Sequence, residues 1–243
     1  MAYVANTNRV NNETISPVPS VGGLGGSNDA YVYDKSGYVT GQGGATYEYD
    51  AARQMKRYTR NGASVRYAYD GARHRAVKIQ TGDTTRYVYD NKGHLLFERS
   101  SASYSQRSYV WLDDIPLAGI DQKTSGELLG VYLIETDFAN TPRYLRRLSG
   151  NTSAPVWQWP FAPYGDVPAN EDPDGDGTKV TFNLRFPGQY FDAESGLHYN
   201  HTRYFSPRTG RYLQPDLMRL EGGINVCIYA KGNPVNFVVC YRN

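Results

Sequence analysis

The chain has 243 residues, 40% of them hydrophobic and 14% aromatic, with 26 basic and 24 acidic residues for a net charge of +2. A near-neutral chain with no basic stripe or acidic tail excludes nucleic acid and an anionic membrane surface as partners. Mean hydropathy is −0.61, low for one deep core, yet 22 tyrosines supply too much aromatic surface for disorder.

The N-terminus lacks the basic and apolar regions of a secretory signal, and no apolar run reaches the length of a membrane span. Residues 1–30, rich in Asn, Ser, Pro and Gly, read as a flexible lead-in. Two cysteines, Cys227 and Cys240, exclude a disulfide scaffold and a Cys/His zinc site, and leave one bridge open.

From residue 31 to 112 the chain writes Tyr-x-Tyr-Asp four times: at Tyr31–Asp34, Tyr47–Asp50, Tyr67–Asp70 and Tyr87–Asp90. The aspartates Asp34, Asp50, Asp70 and Asp90 stand 16, 20 and 20 residues apart, the mark of one unit laid down repeatedly. In each unit the paired rings, ending at Tyr33, Tyr49, Tyr69 and Tyr89, fall on one face of a strand, because side chains alternate with period two. The following Asp suits a turn, since its carboxylate accepts from backbone N–H groups two residues on. Asn61-Gly62 and Thr81-Gly82-Asp83 mark the return turns. The tyrosines fit cross-strand packing; the competing reading is an exposed platform for sugars or peptides.

Residues 113–180 continue in strands, with Asp113-Asp114 as a turn and Pro116 hinting at an edge. The cluster Arg143, Arg146 and Arg147 reads as a solvated strand edge. Asp172, Asp174 and Asp176, in Asp-Pro-Asp-Gly-Asp-Gly, match the first half of a calcium loop, but Asn183 stands where the bidentate glutamate belongs. The expectation is an acidic surface turn with no metal. His198 and His201 lie three apart, on opposite faces if the strand is straight, and His74 reads as a turn residue. No cofactor motif occurs.

The final block, 181–243, carries Phe186-Pro187-Gly188-Gln189, Gly196-Leu197, Tyr199-Asn200, Arg203-Tyr204, Gly210-Arg211-Tyr212, Pro215-Asp216, Gly222-Gly223-Ile224-Asn225 and Asn233-Pro234-Val235-Asn236. With the Tyr-x-Tyr-Asp copies, this series resembles the Rhs and YD-repeat family over about residues 31–238. The resemblance implies an all-β fold: YD-repeat hairpins, part of a strand spiral or shell, leading into an Rhs-associated core. It further implies a polymorphic toxin carrier, whose shell encloses a C-terminal toxin for type VI secretion, insecticidal complexes or contact-dependent killing. Partners would be the remainder of a shell or secretion apparatus and, in relatives, toxin cargo. Relatives are exported by dedicated machinery; a remnant without a signal would stay cytoplasmic.

Family cores also cut their own chain as aspartyl proteases, where two carboxylates share a proton. By resemblance Asp216 matches the first acid and Arg203 an arginine of that site. Val239 occupies the region of the second acid, so self-cleavage is expected to be lost. Glu221, close in sequence, is the one substitute acid for a residual protease. A cell-surface adhesion or carbohydrate-binding module is the third reading, resting on outward aromatics.

Overall fold

The computed structural model describes residues 2–3, 10–14, 28–150, 152–216 and 227–234. Its strands are β1 (Ala2–Tyr3), β2 (Val10–Thr14), β3 (Asn28–Tyr33), β4 (Val39–Gln42), β5 (Ala45–Tyr49), β6 (Met55–Arg60), β7 (Ala63–Tyr69), β8 (Arg75–Gln80), β9 (Asp83–Tyr89) and β10 (Leu95–Ser100). They continue as β11 (Ser105–Leu112), β12 (Ile115–Lys123), β13 (Leu128–Thr136), β14 (Pro142–Arg147), β15 (Trp157–Gln158), β16 (Gln189–Asp192), β17 (Leu197–Asn200), β18 (Arg203–Ser206) and β19 (Arg211–Tyr212). One 3-10 turn, Ala230–Gly232, is the only helical element among the described residues.

β1 to β15 pair antiparallel in strict chain order in one sheet, and β16 to β19 form a second, smaller sheet. The fold is all-β, as the repeats imply. Each repeat Asp builds the same turn. Its N–H donates to the carbonyl four residues on and its own carbonyl accepts from the N–H three residues on, as in Asp70 with His74 and Arg73 at 2.9 and 3.0 Å. Its Oδ1 accepts from the N–H four residues on, at 2.8 to 2.9 Å for Asp34, Asp50, Asp70 and Asp90. The fourth residue is left-handed: Gly37, Arg53, Arg73 and Gly93 have φ of 89°, 66°, 69° and 83°. This is a hairpin with a bulge, and the register shifts at Val32/Tyr33, Glu48/Tyr49 and Ala68/Tyr69 are its trace. Asp137 builds a fifth copy, with Oδ1 accepting from Ala139 and Thr141 and Asn140 at φ 60°. Its strand ends Ile134-Glu135-Thr136, so the tyrosine signature is missing there.

The alternation is also as expected. Tyr47, Tyr67, Tyr87 and Tyr109 are buried, while Val32, Ala68, Val88 and Val110 between the rings face out. The second ring of a pair fastens the neighbouring repeat. Tyr49 Oη donates to the Val39 carbonyl at 2.7 Å, Tyr69 Oη to Met55 at 2.6 Å, and Trp111 Nε1 to Leu95 at 2.9 Å.

Three expectations change. Ala2–Tyr3 and Val10–Thr14 are strands inside the stretch read as lead-in, because β2 finds β3 as a partner; Ser16 to Gly26 lie outside the described residues. Pro116 is not in an edge strand: β12 lies between β11 and β13, but the proline pairs with Trp111 alone, because the ladder to β13 begins two residues on, at Ala118. The arginines of β14 are likewise interior to the sheet. Arg143 is buried, paired with Asp137 at 2.8 Å and stacked 5.2 Å from Trp159, and Arg146 pairs with Glu135 at 2.7 Å. The outer edge of β15 is met by Asn170, exchanging hydrogen bonds with Gln158 at 2.9 and 2.7 Å, which blocks further strand addition there.

The second sheet and the segment before it cover the tyrosine face. Phe182 packs on Tyr109 (6.0 Å), Tyr190 on Tyr87 (5.3 Å), Tyr199 on Tyr69 (6.3 Å) and Tyr204 on Tyr67 (5.5 Å). The Leu213 carbonyl then accepts from the Val39 N–H at 3.0 Å. As the core runs from 182 to 213, its partners run back from β11 to β4.

Candidate functional site

Two places in the core merit description: the position matched to a protease acid, and a buried charge cluster that sequence reasoning missed.

Asp216 follows β19. Its Oδ2 lies 2.9 Å from Arg203 Nη1, and the Arg203 guanidinium sits 3.8 Å over the Tyr212 ring. Burial pushes the Tyr212 phenol up to about 12, with Arg203 opposing. Arg203 and Asp216, 13 residues apart, are thus brought together. General acid–base work on a water by a carboxyl pair needs a second acid beside the first. Glu221 and Val239 lie outside the described residues, as does Cys240.

The buried cluster centres on Arg75, which is fully buried. Its Nη1 donates to Asp192 Oδ2, also fully buried, and to Tyr204 Oη at 3.2 Å. Lys78 Nζ adds contacts to Asp192 at 3.4 Å and Glu194 at 3.3 Å. Arg75 Nε and Nη2 have no hydrogen-bond partner. They are met instead by ring faces: Tyr199 at 4.4 Å, Tyr87 at 4.9 Å, Tyr190 at 5.1 Å and Tyr67 at 5.4 Å from the guanidinium carbon. Burial, the largest single influence, works against the charge, but Asp192 together with Tyr204, Tyr87 and Tyr89 holds the Arg75 pKa well above its ordinary value. Burial, then Asp192, pushes the Glu194 carboxyl up.

The signal for this cluster was present in the repeats. Five residues after each repeat Asp the chain places Val39, Met55, Leu95 and Pro142, all apolar, but Arg75 in the third copy. A charge at an otherwise apolar position of a repeat asks for a buried partner. Its identity, Asp192, lies 117 residues away and no local pattern names it.

The repeat residues Tyr33, Asp34, Tyr49, Asp50, Tyr69, Asp70, Tyr89 and Asp90 form turns and packing. Asp172, Asp174 and Asp176 bring one carboxylate oxygen each within 4.8 Å of one another. Asn183 does not join them; its Nδ2 donates to Tyr190 Oη at 2.9 Å.

The histidines take separate places. His74 is buried, stacked 4.9 Å from Tyr89 and lying 4.9 Å from His201 with the two rings tilted by 60°. His198 Nδ1 lies 2.6 Å from Gln189 Oε1. Burial, reinforced by Arg185, holds His198 well below its ordinary pKa; burial, then His74 and Arg73, pushes His201 down to about 4, with Asp70 opposing. The unfolded chain therefore takes up a proton near pH 6.5 that the folded chain at His201 refuses until about pH 4. Stability is full above pH 6.5 and falls on acidification, by about 1.4 kcal/mol per pH unit for each such group. Urea midpoints taken from pH 7 to 4.5 are expected to fall, and His201→Asn to remove about one proton from the slope. Asn tolerates the left-handed φ of 53° at this position.

Comparisons with known proteins agree with this architecture. The teneurin YD-shell family model matches residues 21–237. The chain is 31% identical over 145 residues to the double-stranded DNA deaminase toxin A of Burkholderia cenocepacia, covering 54% of this chain and 10% of that one. It is 38% identical over 97 residues to the probable deoxyribonuclease RhsA of Dickeya dadantii, covering 37% and 6%. The crystal structure of TcdB2-TccC3-Cdc42 superposes with a TM-score of 0.66 at 15% identity, covering 89% of this chain and 12% of that one. The chain thus spans about a tenth or less of these proteins. Ordered YD hairpins, a core folded back over their tyrosines, and a family match running through both place this chain in the teneurin YD-shell family, with Rhs proteins among its relatives.

Proposed function

We propose that this chain is a stretch of wall from a toxin-carrying shell and does no chemistry of its own. The observation that carries the reading is the core sheet lying across the tyrosine face from β11 back to β4: the aromatics that define the repeats are used up inside the fold. Relatives named as toxins supply the cargo class. The partner would be the remainder of such a shell. The adhesion reading rested on outward aromatics; among the described residues the large exposed ones are Tyr104, Phe138 and Phe161, scattered in loops and turns. A platform needs them together.

The protease reading is tested by intact mass. Purified wild type and Asp216→Asn are each expected to keep a constant mass over several days at 25 °C. A shorter species in the wild type alone would return catalysis to Asp216. The shell reading is tested by cross-linking in producing cells, where links to another YD-repeat polypeptide are expected. Recovery of the chain cross-linked only to itself would refute a shared wall.

A further inference from the structure

The face of the large sheet turned away from the core carries a charge pattern that works against the fold. Tyr67 and Tyr87 point inward, so Arg66 and Arg86, each one residue before them, point out. The strand register sets these arginines against others. Arg57 stands opposite Arg66 across β6 and β7, and Arg86 stands opposite Arg99 across β9 and β10. Directly opposed side chains lie about 5 Å apart at their Cβ atoms, and like charges so placed weaken the pairing. Glu48, opposite Arg57 on its other side, relieves the first pair with a contact of 3.2 Å. The second pair has no such relief. Arg66, Arg86 and Arg99 are exposed and make no ion pair or hydrogen bond among the described residues. The nearest acids are spent elsewhere: Asp83 accepts from Thr85 and Ser100, and Glu98 from Tyr109 and Tyr190. The arginines come from separate strands, so no basic run in the sequence announces them.

Apolar side chains stand among them on the same face. Val77 lies opposite Arg86, and Val88 opposite Phe97. Val88 is 52% exposed, and Val77 and Phe97 are half-buried. All of them belong to interior strands of a 15-stranded sheet, so the pattern is set before any partner arrives.

A guanidinium receives a carboxylate or a phosphate through two parallel hydrogen bonds. Two features of the face choose between them. Nucleic acid draws its affinity from a track of about six to ten phosphate contacts, and three unpaired arginines make no such track. The apolar side chains among the arginines ask for apolar groups among the acids, which a polypeptide has and a phosphate backbone lacks. Arginine beside aromatic and apolar residues is also the composition of protein interfaces. We propose that the outward face of β7 to β10 docks an acidic polypeptide segment with apolar side chains among its Glu or Asp residues, the carboxylates being received by Arg66, Arg86 and Arg99. This surface lies across the sheet from the core and does not depend on the shell reading.

Fluorescence anisotropy of the full chain is measured with labelled acetyl-Glu-Ser-Val-Ser-Glu-Ser-Phe-Ser-Glu-amide, whose acids and apolar groups share one face when extended. The acidic peptide is expected to bind tenfold or more tightly than its counterpart with Gln for every Glu. It should also outbind an oligothymidylate of equal charge and vesicles containing phosphatidylserine. Arg86→Thr and Arg99→Thr each suit a strand and end the repulsion. Each should keep or raise the melting temperature while lowering acidic-peptide affinity at least threefold. Lys35→Thr removes the same charge from the exposed β3–β4 turn and should leave affinity unchanged. Equal binding of the two peptides, tighter binding of the oligonucleotide or the vesicles, undiminished binding to both arginine variants, or an equal loss in Lys35→Thr would each overturn the proposal. A lowered melting temperature in both arginine variants would assign the pair to the fold and overturn it as well.

Discussion

Asp192→Asn is expected to lower the unfolding free energy by about 3 to 5 kcal/mol, the usual cost of stripping one partner from a buried ion pair. The change keeps the shape and removes the charge. Arg75 would then sit fully buried with two ring-faced nitrogens and no anion, and Lys78 would keep only Glu194. Urea unfolding followed by tyrosine fluorescence measures it. The double variant Arg75→Met, Asp192→Leu should recover most of the loss, because apolar replacement of a whole buried pair is often neutral or better. A loss below about 1 kcal/mol for Asp192→Asn would mean the tyrosine faces alone hold the cation.

The second large effect belongs to Gly165. Its φ is +72°, and an added Cβ would stand 2.8 Å from Trp159 Cζ2 and 3.0 Å from Phe186 Cε2. Gly165→Ala therefore carries two costs: about 1 to 2 kcal/mol for a left-handed alanine, and about 1 to 3 kcal/mol for overpacking. Gly196 is the internal control, with φ +69° and no atom within 4 Å of the place a methyl would take. Gly196→Ala should show the backbone cost alone. Equal losses for both variants, read from urea midpoints, would mean that Trp159 and Phe186 yield freely.

How much of this was legible in the sequence follows from range. The repeat turns were readable because Asp chemistry acts over four residues: Asp34, Asp50, Asp70 and Asp90 all do what their side chains suggest. The inward rings followed from period-two alternation. The fifth turn at Asp137 was masked by a strand without tyrosine, Ile134-Glu135-Thr136. Pro116 and the β14 arginines misled because edge and interior differ by what lies alongside, which composition does not record. Arg203 with Asp216 came from resemblance, and the structure sets them 2.9 Å apart. Arg75 was legible as a charge at an apolar repeat position, but its partner Asp192 was not, because that pairing depends on where a distant segment crosses the sheet.

That crossing has a cost in time. Repeat arrays can settle unit by unit, each strand docking on the one before it. Here the strand made early is covered late: β11 meets Phe182 soon after emerging, whereas Val39 waits for Leu213. At about 5 to 20 residues per second on the ribosome, that wait is roughly 10 to 35 s. Through that interval the tyrosines of the first repeats stand wet on a growing ribbon, and a half-made chain is the form in which neighbouring nascent copies would exchange strands.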